Sequence, residues 1–389
     1  MRPVENVLRI LEAHEMVGIL ALFLIVQFAG FTVAFLTNNS GMTGVIINRL
    51  VSQQDALFSY GIDALLIAII FLLLVNRYRR HDSSLWDHKF FVVFEAAVLV
   101  ATSFFAFVFL FTALLPIALQ NWYFLFSLIA ALALVGFRER NRSAKNTATI
   151  ISSIGVGLVL GFYFSFLYTI LILAMVAFYD YAAVFITKSM IKLANKFTDE
   201  DVAFLVSEED VEAIPEEELS KKQIKDYLNN MNNRFDYNDP LFRKAVEKNA
   251  MPVVSRIQLG EGDLGLPLMT VVSLYFTFSS AFASILVVVG AAIGLVITMR
   301  LLKRYKRALP AIPPLFSFIS IFSGLSLFFI GKLTVQESAL FVVIGIVVFF
   351  FGLMMRLVSD KARHDRGEKL HKAESGKPRQ MQTKRTVHQ

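Results

Sequence analysis

Cysteine does not occur anywhere in the 389 residues. Its absence excludes disulfide staples, thiol nucleophiles and cysteine-built zinc sites. Charge is scarce as well. Only 18% of the residues are Asp, Glu, Lys or Arg, where an ordinary soluble protein carries about 25%. Histidine is sparse, and His14, His81 and His88 lie in polar flanks without metal-ligand spacing. No metal or other cofactor is therefore expected. Apolar residues fill the difference: 56% of the chain is hydrophobic, 13% is aromatic, and the mean hydropathy is +0.59. This balance indicates an all-helical, polytopic membrane protein, because lipid offers backbone groups no partner outside their own helix.

Ten apolar stretches are long enough to cross a bilayer. Six lie at about 16–36, 58–76, 90–116, 122–137, 147–163 and 164–187; four more lie at about 264–281, 282–300, 310–331 and 338–358. The runs 147–187 and 264–300 are nearly continuous and are split because each far exceeds one span. Residues 1–15 carry no small-residue cleavage site, and the run that follows is too long for a signal-peptide core. It reads as a retained first span.

Basic residues alternate with these spans. Arg77, Arg79, Arg80 and Lys89 follow the second; Arg138, Arg140, Arg142 and Lys145 follow the fourth; Lys188, Lys192 and Lys196 follow the sixth. Arg300, Lys303, Arg304, Lys306 and Arg307 follow the eighth, and a basic tail follows the tenth, whereas the other side offers only Arg49 and Lys332. The pattern predicts a cytoplasmic amino terminus and a cytoplasmic polar insertion at 189–259. It also accounts for the net charge of +7 without invoking nucleic acid.

Two acids stand out against this background. Asp180 sits within an apolar run from about 164 to 186, with no cation nearby in sequence. Asp263 sits at the start of the seventh span, inside the glycine-rich stretch Gly260, Glu261, Gly262, Asp263, Leu264, Gly265. Ionisable groups at such depth are costly and mark function by default. One alone would read as a protonated acid bonded to a neighbouring helix; two flanking a single insertion point to a pair. The glycines permit positive φ and close backbone approach, and Glu261 is expected to face water. In the insertion, helical pieces are expected at about 198–206 and 216–230. The acidic run from Glu208 to Glu218 reads as a solvated face. The segment 252–258, rich in β-branched residues, reads as a short strand with an edge able to accept a peptide. Pro310, Pro313 and Pro314 disrupt the entrance to the ninth span.

The Tyr179-Asp180 pair, the Gly260-x-Gly262-Asp263 turn and the Pro310, Ala311, Ile312 stretch occur in order on the sixth, seventh and ninth spans. This combination resembles the presenilin and signal peptide peptidase family of intramembrane aspartyl proteases, with its YD, GxGD and PAL motifs. The resemblance implies a presenilin-like bundle of nine transmembrane helices, here with a tenth expected at the carboxyl end. It implies Asp180 and Asp263 as the catalytic pair, supported by Tyr179, Gly260 and Gly262. Leu309, Pro310, Ala311 and Ile312 would contact substrate. The implied partners are transmembrane helices of membrane-protein substrates within the lipid bilayer. Two departures stand: Ile312 replaces the leucine of PAL, and the tenth span with its basic tail exceeds the family pattern. The expected organisation is 1–188, an amino-terminal bundle bearing the first aspartate; 189–259, the insertion; 260–331, the second aspartate and the PAL-like motif; and 332–389, the extra span and tail. The competing readings are a prepilin-type GxGD peptidase and a proton- or cation-coupled transporter using the paired carboxylates.

Overall fold

The computed structural model describes residues 2–39, 85–115, 119, 122–138, 142–186, 205–215, 250–305 and 310–354. Nine helices occur among the described residues: α1 (Arg2–Asn39), α2 (Leu85–Leu114), α3 (Tyr123–Phe137), α4 (Arg142–Tyr163), α5 (Phe166–Tyr181), α6 (Glu261–Phe278), α7 (Ala281–Tyr305), α8 (Ile312–Phe329) and α9 (Val335–Met354). Nine of the ten expected spans are therefore helices; the second, at 58–76, lies outside the described residues. Seven of the nine are long and apolar enough to cross a membrane. The remaining two are α3, which is shorter, and α6, which carries Glu261 and Asp263 in its first turn. The chain is an integral, multi-pass membrane protein.

Local chemistry explains the breaks. The run 147–187 divides at Ser165, which is extended and precedes the first residue of α5. The run 264–300 divides at Ser279, whose left-handed conformation (φ 53°) ends α6. The Ser280 hydroxyl then accepts the Ala283 N–H at 3.3 Å and so starts α7. Helix α8 stops at Gly331 (φ 68°), with Lys332 N–H donating to the Leu327 carbonyl and Gly331 N–H to that of Phe328, each at 2.9 Å. That double bond is a Schellman motif, and the positive φ is why glycine stands there. Three residues on, Thr334 and Glu337 exchange hydrogen bonds as a capping box, the Glu337 carboxylate accepting the Thr334 N–H at 2.8 Å. These two adjoining signals fold α9 back on α8.

Helix α6 is the axis of the bundle, buried almost continuously from Leu264 to Tyr275. It packs most extensively on α4, where Gly157 and Gly161 let the helices approach. A Cβ at Gly157 would lie 2.7 Å from the Leu268 side chain, and one at Gly161 would lie 2.8 Å from the Met269 carbonyl. Apolar surface alone drives little association in lipid, so close packing and interhelical hydrogen bonds carry it. Those bonds converge on α6. From α1, Gln27 donates to the Leu264 carbonyl at 2.9 Å. Toward α5, Ser273 donates to the Phe164 carbonyl at 2.7 Å, and Thr277 accepts the Phe166 N–H at 3.3 Å. Stacked rings of Phe109 and Phe162, with Phe276 against the latter, tie α2 and α4 to the same axis.

The insertion differs from expectation at one of its described parts. Strand β2 (Ala250–Gly260) contains the segment expected as a strand. Its partner β1 (Leu205–Pro215) is also a strand, where the acidic sequence had suggested a helical end followed by a solvated run. The antiparallel register runs from Leu205 opposite Gly260 to Pro215 opposite Ala250. The glutamates favour helix only weakly, and pairing with β2 overrides that preference. The piece expected at 216–230, and residues 198–204 of the other, lie outside the described residues.

Candidate active site

Asp180 lies in the last turn of α5, 8% exposed, immediately before a π-helical turn at Ala182–Ile186. Such wide turns inside α-helices are rare and occur often at functional sites. A carboxylate at a helix carboxyl end faces the negative pole of that helix. The beginning of α8 offsets this: Ile312 N–H donates to Asp180 Oδ2 at 3.2 Å, and the Ala311 amide also bonds the same carboxyl. Two of the next residues in α8, Pro313 and Pro314, have no N–H. The unsatisfied donors at this helix start are thus few, and they are spent on Asp180.

Asp263 lies at the third position of α6, half-buried. Its Oδ2 accepts the Gly260 N–H at 3.2 Å, half of a capping box for which glycine has no side chain to supply the other half. The helix amino terminus favours the charge there. The carboxyls of Asp180 and Asp263 lie within Coulombic reach of each other. The bundle therefore brings together two acids 83 positions apart in sequence.

The glycines act differently from expectation. Gly260 is extended (φ −72°), and neither Gly262 nor Gly265 has positive φ. Because α6 starts at Glu261, these residues adopt ordinary helical or extended backbone. What glycine provides is space. A Cβ on Gly262 would meet nothing within 4 Å, and one on Gly265 would sit 3.3 Å from the Ser153 carbonyl of α4. Pro310 is buried beside α8, and Ala311 precedes that helix. Leu309 lies outside the described residues.

Tyr179 is 61% exposed, whereas Tyr181 is buried. Glu261 does not simply face water. It accepts a hydrogen bond from Ser152 of α4, whose hydroxyl also bonds Thr102 of α2. Neither serine nor threonine carried a signal in sequence, since hydroxyls are common in membrane helices and only the packing of α2, α4 and α6 aligns these. An acid one turn from a membrane boundary was the one available hint.

The arrangement has relatives. The profile of the signal-peptide peptidase and presenilin aspartyl protease family matches residues 20–337, most of the chain. Among solved structures, a presenilin family intramembrane aspartate protease in space group P2 aligns with a TM-score of 0.47 and 18% identity, over 80% of this chain and 97% of that one. A presenilin family intramembrane aspartate protease in space group C222 aligns at 0.44 and 17%, over 79% and 95%. No curated protein matches the chain. With the profile spanning α1 to the start of α9, the chain belongs to the signal-peptide peptidase and presenilin aspartyl protease family.

Proposed function

We propose that this protein is an intramembrane aspartyl endopeptidase, hydrolysing peptide bonds in or near transmembrane segments of membrane-protein substrates, with Asp180 and Asp263 as its catalytic pair. The observation that carries the reading is the convergence of two carboxyls from separate helices, one of them held by the amides that open α8. Two neighbouring carboxyls do not both ionise cheaply and share a proton. The ionised member takes a proton from a water molecule held between them. The resulting hydroxide oxygen adds to the scissile carbonyl carbon as the neutral member gives its proton to the carbonyl oxygen. Collapse of the tetrahedral species breaks the C–N bond, and a carboxyl proton goes to the leaving nitrogen. Water is the only co-reactant, and no cofactor enters. The pair titrates jointly, so base and acid are assigned to the dyad rather than to either residue.

A transmembrane helix hides its amides in internal bonds and has to unwind before cleavage. Strand β2 runs directly into α6, whose first turn carries Asp263, and an unwound substrate pairing along this ribbon would regain backbone partners. Gly262, with open space where a Cβ would lie, admits substrate backbone near the acids. Pro310, Ala311 and Ile312 act in positioning substrate as well as Asp180. In this reading the units are the bundle 1–188, the insertion 189–259, the part 260–331 and the extension 332–389, with the amino terminus and insertion cytoplasmic.

The test is cleavage of a reporter transmembrane segment by purified protein in detergent, beside Asp180→Ala and Asp263→Ala. Each substitution abolishes cleavage while the protein keeps its melting temperature within a few degrees. Residual cleavage by either folded variant refutes the dyad.

A further inference from the structure

The family match ends at residue 337, so α9 lies almost wholly beyond it. Yet this helix is bonded to both elements that hold Asp180. On α8, Ser320 donates to the Phe341 carbonyl at 2.8 Å, Ser338 donates to the Gly324 carbonyl at 2.9 Å, and Gly345 backs onto the Ser317 carbonyl. On α5, the Tyr181 hydroxyl donates to the Val348 carbonyl at 2.9 Å, and Phe351 packs edge-on against the same ring at 5.7 Å. Val348 lies inside α9, so the phenol uses the second lone pair of a carbonyl already placed in a helix.

Gly352 makes this contact possible. A Cβ there would lie 1.8 Å from the Tyr181 hydroxyl oxygen and 2.4 Å from Cζ, so any side chain expels the phenol from its seat. Tyr181 directly follows Asp180, and the wide turn Ala182–Ile186 directly follows Tyr181. This is the least regular part of α5, and it has to hold Asp180 against the amides of Ala311 and Ile312. We propose that α9 is a clamp on this turn, with Tyr181 as a positioning residue that sets Asp180 through its bond to Val348 and its fit against Gly352. Loss of the phenol contact frees the last turn of α5 to tilt away from the start of α8.

The clamp rests on the proposed peptidase reading only for its activity readout, and the experiment has a second arm for that reason. With full-length protein and the transmembrane reporter, Tyr181→Phe, Gly352→Ala and the double variant form a cycle. Tyr181→Phe lowers kcat about tenfold, near the upper end for loss of one hydrogen bond, with KM within about twofold. Gly352→Ala lowers kcat at least as far, and the double variant is no worse than Gly352→Ala alone. Wild-type kcat in Tyr181→Phe, or losses that multiply in the double variant, overturns the proposal. The second arm uses the absence of native cysteine. In an Ala182→Cys background, maleimide labelling of that half-buried position speeds up about tenfold with either substitution if the clamp holds the turn. Unchanged labelling overturns the clamp whatever the activity. A wild-type protein that cleaves nothing counts against the peptidase reading and leaves the labelling result to decide the clamp.

Discussion

Replacing glycine by alanine should have opposite consequences at two positions of this bundle. Gly136, near the end of α3, has nothing within 4 Å of where a Cβ would stand. Alanine there gains only its better helix propensity, about 0.8–1 kcal/mol. Gly155, in α4, faces the backbone of α2: its Cβ would lie 1.9 Å from the Thr102 carbonyl oxygen, 2.8 Å from the carbonyl carbon and 3.2 Å from the Ala106 nitrogen. The first contact is roughly 1.5 Å short of ordinary van der Waals separation. The obstacle is backbone, which no rotamer change relieves, so α2 and α4 have to part. Overpacking of this kind costs about 1–3 kcal/mol or more, which outweighs the propensity gain and leaves Gly155→Ala about 2 kcal/mol the less stable of the two variants. The same separation strains the line from Thr102 through Ser152 to Glu261, two residues before Asp263. Thermal unfolding of both variants in one detergent is the assay, with reporter cleavage measured alongside. Gly136→Ala melts at or slightly above wild type; Gly155→Ala melts several degrees lower and cleaves more slowly. A Gly155→Ala protein as stable as Gly136→Ala would refute the close approach of α2 and α4.

Ser152→Ala removes the hydroxyl that Glu261 accepts from. Hydrogen bonds to charged groups are worth about 1.5–3 kcal/mol, so stability falls and kcat drops more than for Ser153→Ala, whose hydroxyl bonds only within its own helix; equal effects in the two variants dismiss the role of the chain. Pro310→Ala loosens the approach to the amides that hold Asp180, so cleavage declines severalfold with the melting temperature nearly unchanged; full activity counts against a positioning role for the loop. One carboxyl of the pair has to be ionised and the other protonated, so kcat/KM plotted against pH is bell-shaped. A profile with a single ionisation would show that the two acids do not act together.

Much of the architecture was legible because lipid leaves few alternatives. Long apolar runs have to be helices, and nine of the ten expected are helices among the described residues, the other lying outside them. The breaks at Ser165 and Ser279 fall within a few residues of where length alone required them. The strand at 250–260 was visible in its β-branched residues. Its partner at 205–215 was not, because a run of glutamates and aspartates advertises no strand until a second strand supplies its hydrogen bonds. The two aspartates were conspicuous through the cost of burying them. Tyr179 was conspicuous too, as part of a resembling motif, yet it is the neighbouring Tyr181 that turns inward to α9.

Sequence by itself therefore determined the solvent, the helical class and which acids demanded explanation, since each follows from transfer energy and backbone satisfaction along one segment. Tertiary structure alone decided which groups meet: Asp180 with the amides of Ala311 and Ile312, Glu261 with Ser152, and Tyr181 with Val348. Those pairings depend on the rotation of each helix about its own axis and on the glycines that permit close approach. Such angles are properties of helix pairs, and no single stretch of chain specifies them.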